Sequence, residues 1–108
     1  MFLAMNRFKV KQGSEADFET VWRERDSHLN TVSGFVAFNL LRGPAKEDHT
    51  LYASHTIWRS REDFENWTRS EAFRAAHRNA GGNKPLYVGH PEVELFDSVI
   101  ALDNQQAA

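Results

Sequence analysis

The sequence contains no cysteine, and this absence excludes a group of chemistries. Disulfide bonds, thiolate metal sites and cysteine nucleophiles are all impossible, and their absence fits a reducing cytoplasm, where we expect this protein to act. Long hydrophobic runs are missing as well. The apolar residues 1–5 are followed by Asn6 and Arg7, which leaves too short a core for a signal peptide. No segment approaches the roughly 20 apolar residues of a membrane span.

An excess of charge of one sign is also absent, because 13 Lys and Arg residues oppose 15 Asp and Glu residues for a net charge of −2. This balance gives no reason to expect a nucleic acid or an anionic membrane as a partner. The chain has no glycine-rich phosphate loop, no dinucleotide fingerprint and no Ser-His-Asp nucleophile pattern. Its 41% hydrophobic and 26% charged residues are typical of one globular domain, which we assign to residues 1–102 with a polar tail at 103–108.

Hydrophobic periodicity predicts four β-strands. Residues 2–10 alternate between the two faces of a strand. Residues 35–42 and 51–58 form two further strands, and the short polar loop between them indicates an antiparallel hairpin. A fourth strand is predicted at about 92–101, after a loop that extends through residues 89–91.

The first helix is predicted to begin at Ser14, because Ser14 and Asp17 have the spacing of a capping box. Its apolar stripe continues through Trp22 to Leu29, with Arg25 in the same register. The stripe therefore includes one cation.

The second helix begins with the same signature at Ser60 and Asp63, and Ser70 indicates another N-cap that breaks this helix in two. The resulting order, β-α-β-β-α-β, is the ferredoxin-like α+β arrangement. Because both faces of the predicted sheet carry apolar residues, we expect a homodimer in which two sheets pack against each other.

One polar residue stands out in the first strand, where Asn6 shares its face with apolar neighbours. A buried amide without hydrogen-bond partners costs about 1–3 kcal/mol. Asn6 could therefore bond to the backbone or to a neighbour such as Asn39 or His55, or it could direct a donor into a cavity at the oxygen of a ligand. The sequence leaves both interpretations open.

His77 and Trp67 are the candidates in the second helical region. His77 follows Phe73 by four residues, so it lies on or beside the buried stripe, either as a packed core residue or as a ligand to a metal or haem iron. No second ligand has suitable spacing, which argues against a zinc site built from this helix. Trp67 is either a core residue or a pocket wall, and the break at Ser70 would allow both side chains to face one cavity.

Two arginines could bind an anionic group. Arg25 either extends past Trp22 to solvent or lines a pocket and binds a carboxylate. Arg78, which follows His77, offers a similar contact.

Taken together, Asn6, the Ser-x-x-x-Phe-x-x-Trp run at 60–67 and the Ser-Glu-Ala-Phe-x-x-Ala-His run at 70–77 resemble the IsdG-like haem-degrading monooxygenases. These enzymes lie within the antibiotic biosynthesis monooxygenase superfamily of dimeric α+β barrels, and the resemblance covers about residues 2–100. The runs NRFKVKQGSE, LYASHTIW and WTRSEAFRAAHR look most like the HmuQ/HmuD branch of bacterial enzymes that form biliverdin.

The resemblance implies one haem per subunit of a dimer, held between the sheet and the broken helix. His77 would be the axial iron ligand, Asn6 would donate a hydrogen bond on the distal side, and Trp67 would press the porphyrin out of plane. Arg25, with Trp22 beside it, would lie near the haem propionates. Haem would be both substrate and cofactor, and O2 would be the second substrate. Electrons would come from an external reductase or ascorbate. The products would be iron, a biliverdin-type tetrapyrrole and a one-carbon fragment, expected to be CO.

Two other functions fit parts of the pattern. A cofactor-free monooxygenase of polycyclic phenols would use a similar pocket and leave His77 as an acid, a base or a packing residue. A non-catalytic haem-binding dimer would leave Asn6 structural. Neither requires Asn6, Trp67 and His77 together, so the three residues favour haem degradation.

Overall fold

The computed structural model describes residues 1–25, 28–71, 73 and 86–102. Its elements are, in chain order, β1 (Phe2–Lys11), α1 (Glu15–Glu24), a 3-10 turn (Leu29–Thr31), β2 (Phe35–Ala45), β3 (His49–Trp58), α2 (Arg61–Thr68) and β4 (Tyr87–Asp97). The strands form one antiparallel sheet in the order β2-β3-β1-β4. The ferredoxin-like α+β fold is therefore confirmed. No helix in these ranges has both the length and the apolar character needed to cross a membrane.

The last strand differs from the prediction at both ends. It begins at Tyr87 instead of about residue 92 and ends at Asp97, so the predicted loop at 89–91 is part of β4. Gly89 has a φ of +69°, and the pairing of β4 with β1 shifts register between Arg7 and Lys9. This irregularity allows β4 to continue through residues 89–91 as one strand. Pro91, which lacks an N–H, is tolerated because β4 is an edge strand.

Helix α1 is shorter than its apolar stripe predicts. It ends at Glu24, Arg25 is an extended C-cap residue, and His28 has a φ of +57°, which cannot continue a helix. The predicted capping box is also wrong, because the Ser14 side chain makes no cap hydrogen bond. The N–H of Gly13 instead donates to Oε1 of Glu15 at 2.8 Å.

Helix α2 begins and ends as predicted. The Oγ of Ser60 accepts a hydrogen bond from the N–H of Asp63 at 3.1 Å and donates to the carboxylate of the same residue at 3.0 Å. The helix stops at Thr68, and the Oγ of Ser70 then accepts from the N–H of Phe73 at 3.2 Å. The predicted break at Ser70 is therefore confirmed.

The core between the helices and the sheet consists of two separate groups of side chains. The first cluster lies under α2 and contains Phe2, Leu29, Trp58 and Trp67. The second cluster lies under α1 and contains Phe8, Val10, Phe18 and Tyr52. Each helix thus covers one end of the sheet, and the middle of the sheet belongs to neither cluster.

Candidate functional site

Two rows of side chains lie between the two clusters on the helix-facing side of the sheet, and we call this region the slot. The strand pairing gives the rows as Phe38–Thr56–Ala4–Leu95 and Leu40–Ser54–Asn6–Val93. Phe2 and Phe8 are six positions apart on β1, which corresponds to about 20 Å at 3.4 Å per residue. The two central strands contribute only small or polar side chains to this length, namely Ala4, Asn6, Ser54 and Thr56.

The edges of the slot are apolar and open. Val93 is 63% exposed and Leu95 is 42% exposed, although both lie on the helix-facing side. Phe38, on the opposite edge strand, is exposed as well. An apolar surface between two packed clusters suits a flat apolar molecule better than water.

Asn6 lies in the floor of the slot. Its side-chain Oδ1 is buried and has no hydrogen-bond partner among the described residues. Asn39 and His55, the two neighbours considered from the sequence, are on the opposite face of the sheet, where Nδ2 of Asn39 and Nδ1 of His55 lie 3.4 Å apart. That part of the sequence prediction is wrong, because the register places these two side chains out of reach.

Trp67, on α2, belongs to the first cluster, at the Phe2 end of the slot. Its indole packs at 5.2 Å from the ring of Trp58 and edge-on at 4.8 Å from that of Phe73, centroid to centroid. The core interpretation of Trp67 is therefore correct. Phe73 follows the break at Ser70, so the break places the ring of Phe73 against Trp67.

Trp22 and Arg25 stand at the other side of the slot. The indole of Trp22 stacks on Phe38, with centroids 5.7 Å apart and an interplanar angle of 18°. The guanidinium carbon of Arg25 lies 4.1 Å from the centre of the Trp22 ring. Within residues 1–25, 28–71, 73 and 86–102, Arg25 has no ion-pair partner. Burial lowers the pKa of its guanidinium, so this cation is partly desolvated and lacks a described counter-ion.

The neighbouring carboxylates, in contrast, have partners. Glu19 accepts hydrogen bonds from the Tyr52 hydroxyl at 2.5 Å and from Arg23 at 3.0 Å, and Arg42 lies 3.6 Å away. The bond from Tyr52 is the main reason that the pKa of Glu19 is lowered. Burial and the same bond raise the pKa of the Tyr52 hydroxyl. These groups stabilise the second cluster and are not available for a ligand in the way that Asn6 and Arg25 are.

Two predicted site residues, His77 and Arg78, lie outside the described residues. Two floor residues, Ser54 and Thr56, were not singled out from the sequence. The run LYASHTIW contains the signal that could have found them, because alternation places both on the same face as the buried Tyr52 and Trp58. The slot thus has Asn6 in a floor of small and polar side chains, with Trp22 stacked on the edge residue Phe38 and Arg25 lying over Trp22.

The chain resembles known proteins over nearly its whole length. The family model for antibiotic biosynthesis monooxygenases matches residues 1–79. A protein of Bacillus thuringiensis (strain Al Hakam) named "heme-degrading monooxygenase" is 33% identical over 97 residues, which cover 90% of this chain and 89% of that relative.

Two solved structures share the fold. One is an arginine-to-serine variant of MhuD with two manganese protoporphyrin IX molecules per active site (TM-score 0.76, 26% identity, 96% of this chain and 100% of that one). The other is the heme-degrader MhuD from Mycobacterium tuberculosis with two hemes in its active site (TM-score 0.72, 29% identity, 95% of this chain and 100% of that one). Sequence and fold therefore agree, and the chain belongs to the antibiotic biosynthesis monooxygenase family.

Proposed function

We propose that this protein is a haem-degrading monooxygenase that opens the porphyrin ring with O2 and external electrons. The observation that carries the proposal is the slot itself, with the amide of Asn6 buried in its floor and, at its side, a cation that has no ion-pair partner among the described residues. The relative named "heme-degrading monooxygenase" and the two porphyrin-bound MhuD structures support the same function.

Haem fits the residues that form the slot. A porphyrin is a flat apolar ring with two carboxylates at one edge, and the slot offers apolar edges with a guanidinium at its side. Burial of the ring against Phe38, Leu95 and Val93 would cover side chains that are otherwise in water. The carboxylates would supply the counter-ion for Arg25.

Each site residue then has a separate task. His77 binds the iron, as its motif suggests, and Arg78 adds a second cation beside it. Asn6 directs its amide N–H groups from the floor towards the reacting oxygen. Trp67 is held by Trp58 and Phe73, so it acts as a rigid wall against the ring. Trp22 fixes the guanidinium of Arg25 by a cation–π contact.

Bound haem would supply the iron that activates O2 and would itself be the molecule that is oxidised. Electrons come from a separate reductase or from ascorbate. The products are iron, a biliverdin-type tetrapyrrole and a one-carbon fragment, expected to be CO. The cytoplasmic location expected from the sequence is part of this proposal.

The proposal includes a homodimer that buries the sheet face opposite the helices. The strand register places apolar side chains from all four strands on that face: Leu3, Met5, Leu41, Leu51, Ile57 and Phe96. The segment after β4 adds Val99, Ile100 and Leu102, which are almost fully exposed. Apolar surface of this extent supports a second copy as the covering partner.

Two variants separate binding from turnover. His77→Ala should weaken haem binding at least tenfold or change the coordination seen in the visible spectrum, because the iron loses its proposed ligand. Asn6→Ala should keep haem and lose most of its turnover with ascorbate in air, by about 100-fold, as expected when a single preorganised donor is removed. His90→Ala and Asn30→Ala, which change exposed residues of the same types, are the matched controls.

Four results would contradict the proposal. An unchanged haem spectrum in His77→Ala would remove that residue from the site, and full turnover in Asn6→Ala would remove the amide from the reaction. Failure of the wild-type protein to bind haem would instead favour the cofactor-free monooxygenase. Stable haem under reductant and air would favour a binding protein.

A further inference from the structure

Ser54 lies directly opposite Asn6 in the pairing of β1 with β3, on the same face of the sheet. Its side chain is buried, and its hydroxyl makes no hydrogen bond with any residue that the structure describes. Residues that face each other on antiparallel strands have Cβ atoms about 5 Å apart. The structure records no hydrogen bond between Ser54 and Oδ1 of Asn6. At this separation, rotation about χ1 of the serine brings its hydroxyl within about 2.8 Å of the amide oxygen.

Among the side chains that the structure describes around Asn6 on its face of the sheet, Ser54 is the one that can donate to the buried amide oxygen. On the other side of Asn6 the register places Val93, and Ala4 and Phe8 precede and follow Asn6 on its own strand face, so none of these side chains can donate. The hydroxyl of Thr56, one row away, already donates to the carbonyl of Ala4 at 3.4 Å.

We propose that Ser54 is a positioning residue, whose hydroxyl donates to Oδ1 of Asn6 and thereby directs the amide nitrogen of Asn6 into the slot. An asparagine amide has nearly the same shape when it is rotated by 180°, so shape alone does not decide whether N–H or oxygen faces a ligand. A hydrogen-bond donor fixed at the oxygen end lowers the free energy of one orientation relative to the other, so that the N–H groups face the slot. This inference rests on the proposed function for its consequence, but the hydrogen bond itself does not require haem.

The first test uses the haem-free protein. The side-chain amide resonances of Asn6, assigned by comparison with Asn6→Ala, should shift in Ser54→Ala and exchange with water about five times faster, because the amide loses its anchor. Ser54→Thr keeps the hydroxyl and should keep the wild-type behaviour. Thr50→Ala is the matched control, because Thr50 is a buried hydroxyl on the same strand and face that donates to Glu15 at 2.8 Å, outside the slot. Unchanged Asn6 resonances in Ser54→Ala would overturn the proposal.

The second test uses ferric haem and fluoride, an anion that binds iron and accepts hydrogen bonds. Ser54→Ala should lower the fluoride affinity about fivefold, and Ser54→Thr and Thr50→Ala should not. In the Asn6→Ala background, removal of the Ser54 hydroxyl should have no further effect, because the serine acts only through the amide.

The same loss in both backgrounds would show a role for Ser54 that bypasses Asn6 and would overturn the proposal. A wild-type protein that does not take up haem would contradict the proposed function alone, since the resonances of the haem-free protein still decide whether Ser54 anchors Asn6.

Discussion

The polar groups of the slot and those beside the second cluster differ in their partners. The carboxylates of Glu15 and Glu19 are both hydrogen-bonded to buried hydroxyls, Thr50 and Tyr52, and their pKa values are lowered mainly for that reason. The amide oxygen of Asn6 has no such partner within the described ranges, although an unsatisfied buried group costs about 1–3 kcal/mol. The hydroxyl of Ser54, directly opposite on β3, is the donor that we propose for this oxygen.

The sequence predicted these site residues unevenly. Asn6 was detectable because a polar residue interrupts an apolar strand face, and Trp67 because a cap signature follows it. The predicted partners of Asn6, Asn39 and His55, were wrong. The pairing register depends on the whole sheet, and a shift of one residue moves every side chain of a strand to the other face. Ser54 was not predicted as a site residue, because its cross-strand neighbour Asn6 is known only once the pairing of β1 with β3 is known.

At Arg25 we predict a loss of haem affinity that depends on charge. Arg25→Gln should weaken haem binding about tenfold, or about 1.4 kcal/mol, because the ring would lose a partly desolvated cation that binds its carboxylates. The measurement is a haemin titration followed in the visible spectrum. Arg23→Gln is the matched control, since Arg23 is an exposed arginine that pairs with Glu19 on the surface of α1.

The same titration with haem esterified at both propionates tests the cause of that loss. The ester should bind the wild type and Arg25→Gln equally well, because neither complex contains the ion pair. A tenfold difference that persists with the ester would show that Arg25 acts by packing on Trp22 rather than by binding carboxylates.

Among the elements, the two predicted helix starts had opposite outcomes for a reason visible in the backbone. Ser60 has φ −150° and ψ 160°, the extended conformation that lets a side chain reach the N–H three residues on. Ser14 has φ −102° and ψ 6°, and the turn at Gly13, with φ +91°, directs the preceding N–H to Glu15 instead. The capping pattern is the same in both sequences, so only the conformation of the preceding turn separates them.

This difference predicts unequal effects of two similar substitutions. Ser60→Ala should lower the free energy of unfolding by about 1 kcal/mol, because the N–H of Asp63 loses its acceptor at the start of α2. Ser14→Ala should change it by less than about 0.5 kcal/mol, since its side chain caps nothing. Urea denaturation of both variants measures the two values, and equal losses would contradict the assigned caps.

For the whole molecule, the order of strands and helices was enough to predict the fold, because few sheet topologies are compatible with the order β-α-β-β-α-β. The position of the slot was not predictable. It depends on the way α1 and α2 each cover one end of the sheet, and this arrangement follows from tertiary packing around Phe18 and Trp67 rather than from local patterns.

The dimer can be tested with two substitutions of equal chemistry. Leu41→Glu places a charge on the sheet face opposite the helices and should convert the proposed dimer into a monomer, as measured by sedimentation velocity. Val21→Glu on α1 is the matched control, because Val21 is 44% exposed and Leu41 is 43% exposed. A monomeric wild type, or a Leu41→Glu variant that still dimerises, would contradict a dimer through this face.

The most direct test of the account is the fate of haem bound to the wild-type protein when ascorbate is added in air. We predict a Soret band that appears with one haem per subunit and then decays, with iron captured by a chelator and an open-chain tetrapyrrole identified by mass spectrometry. Recovery of intact haem after complete reduction in air would contradict the central claim that the slot of this protein opens the porphyrin ring.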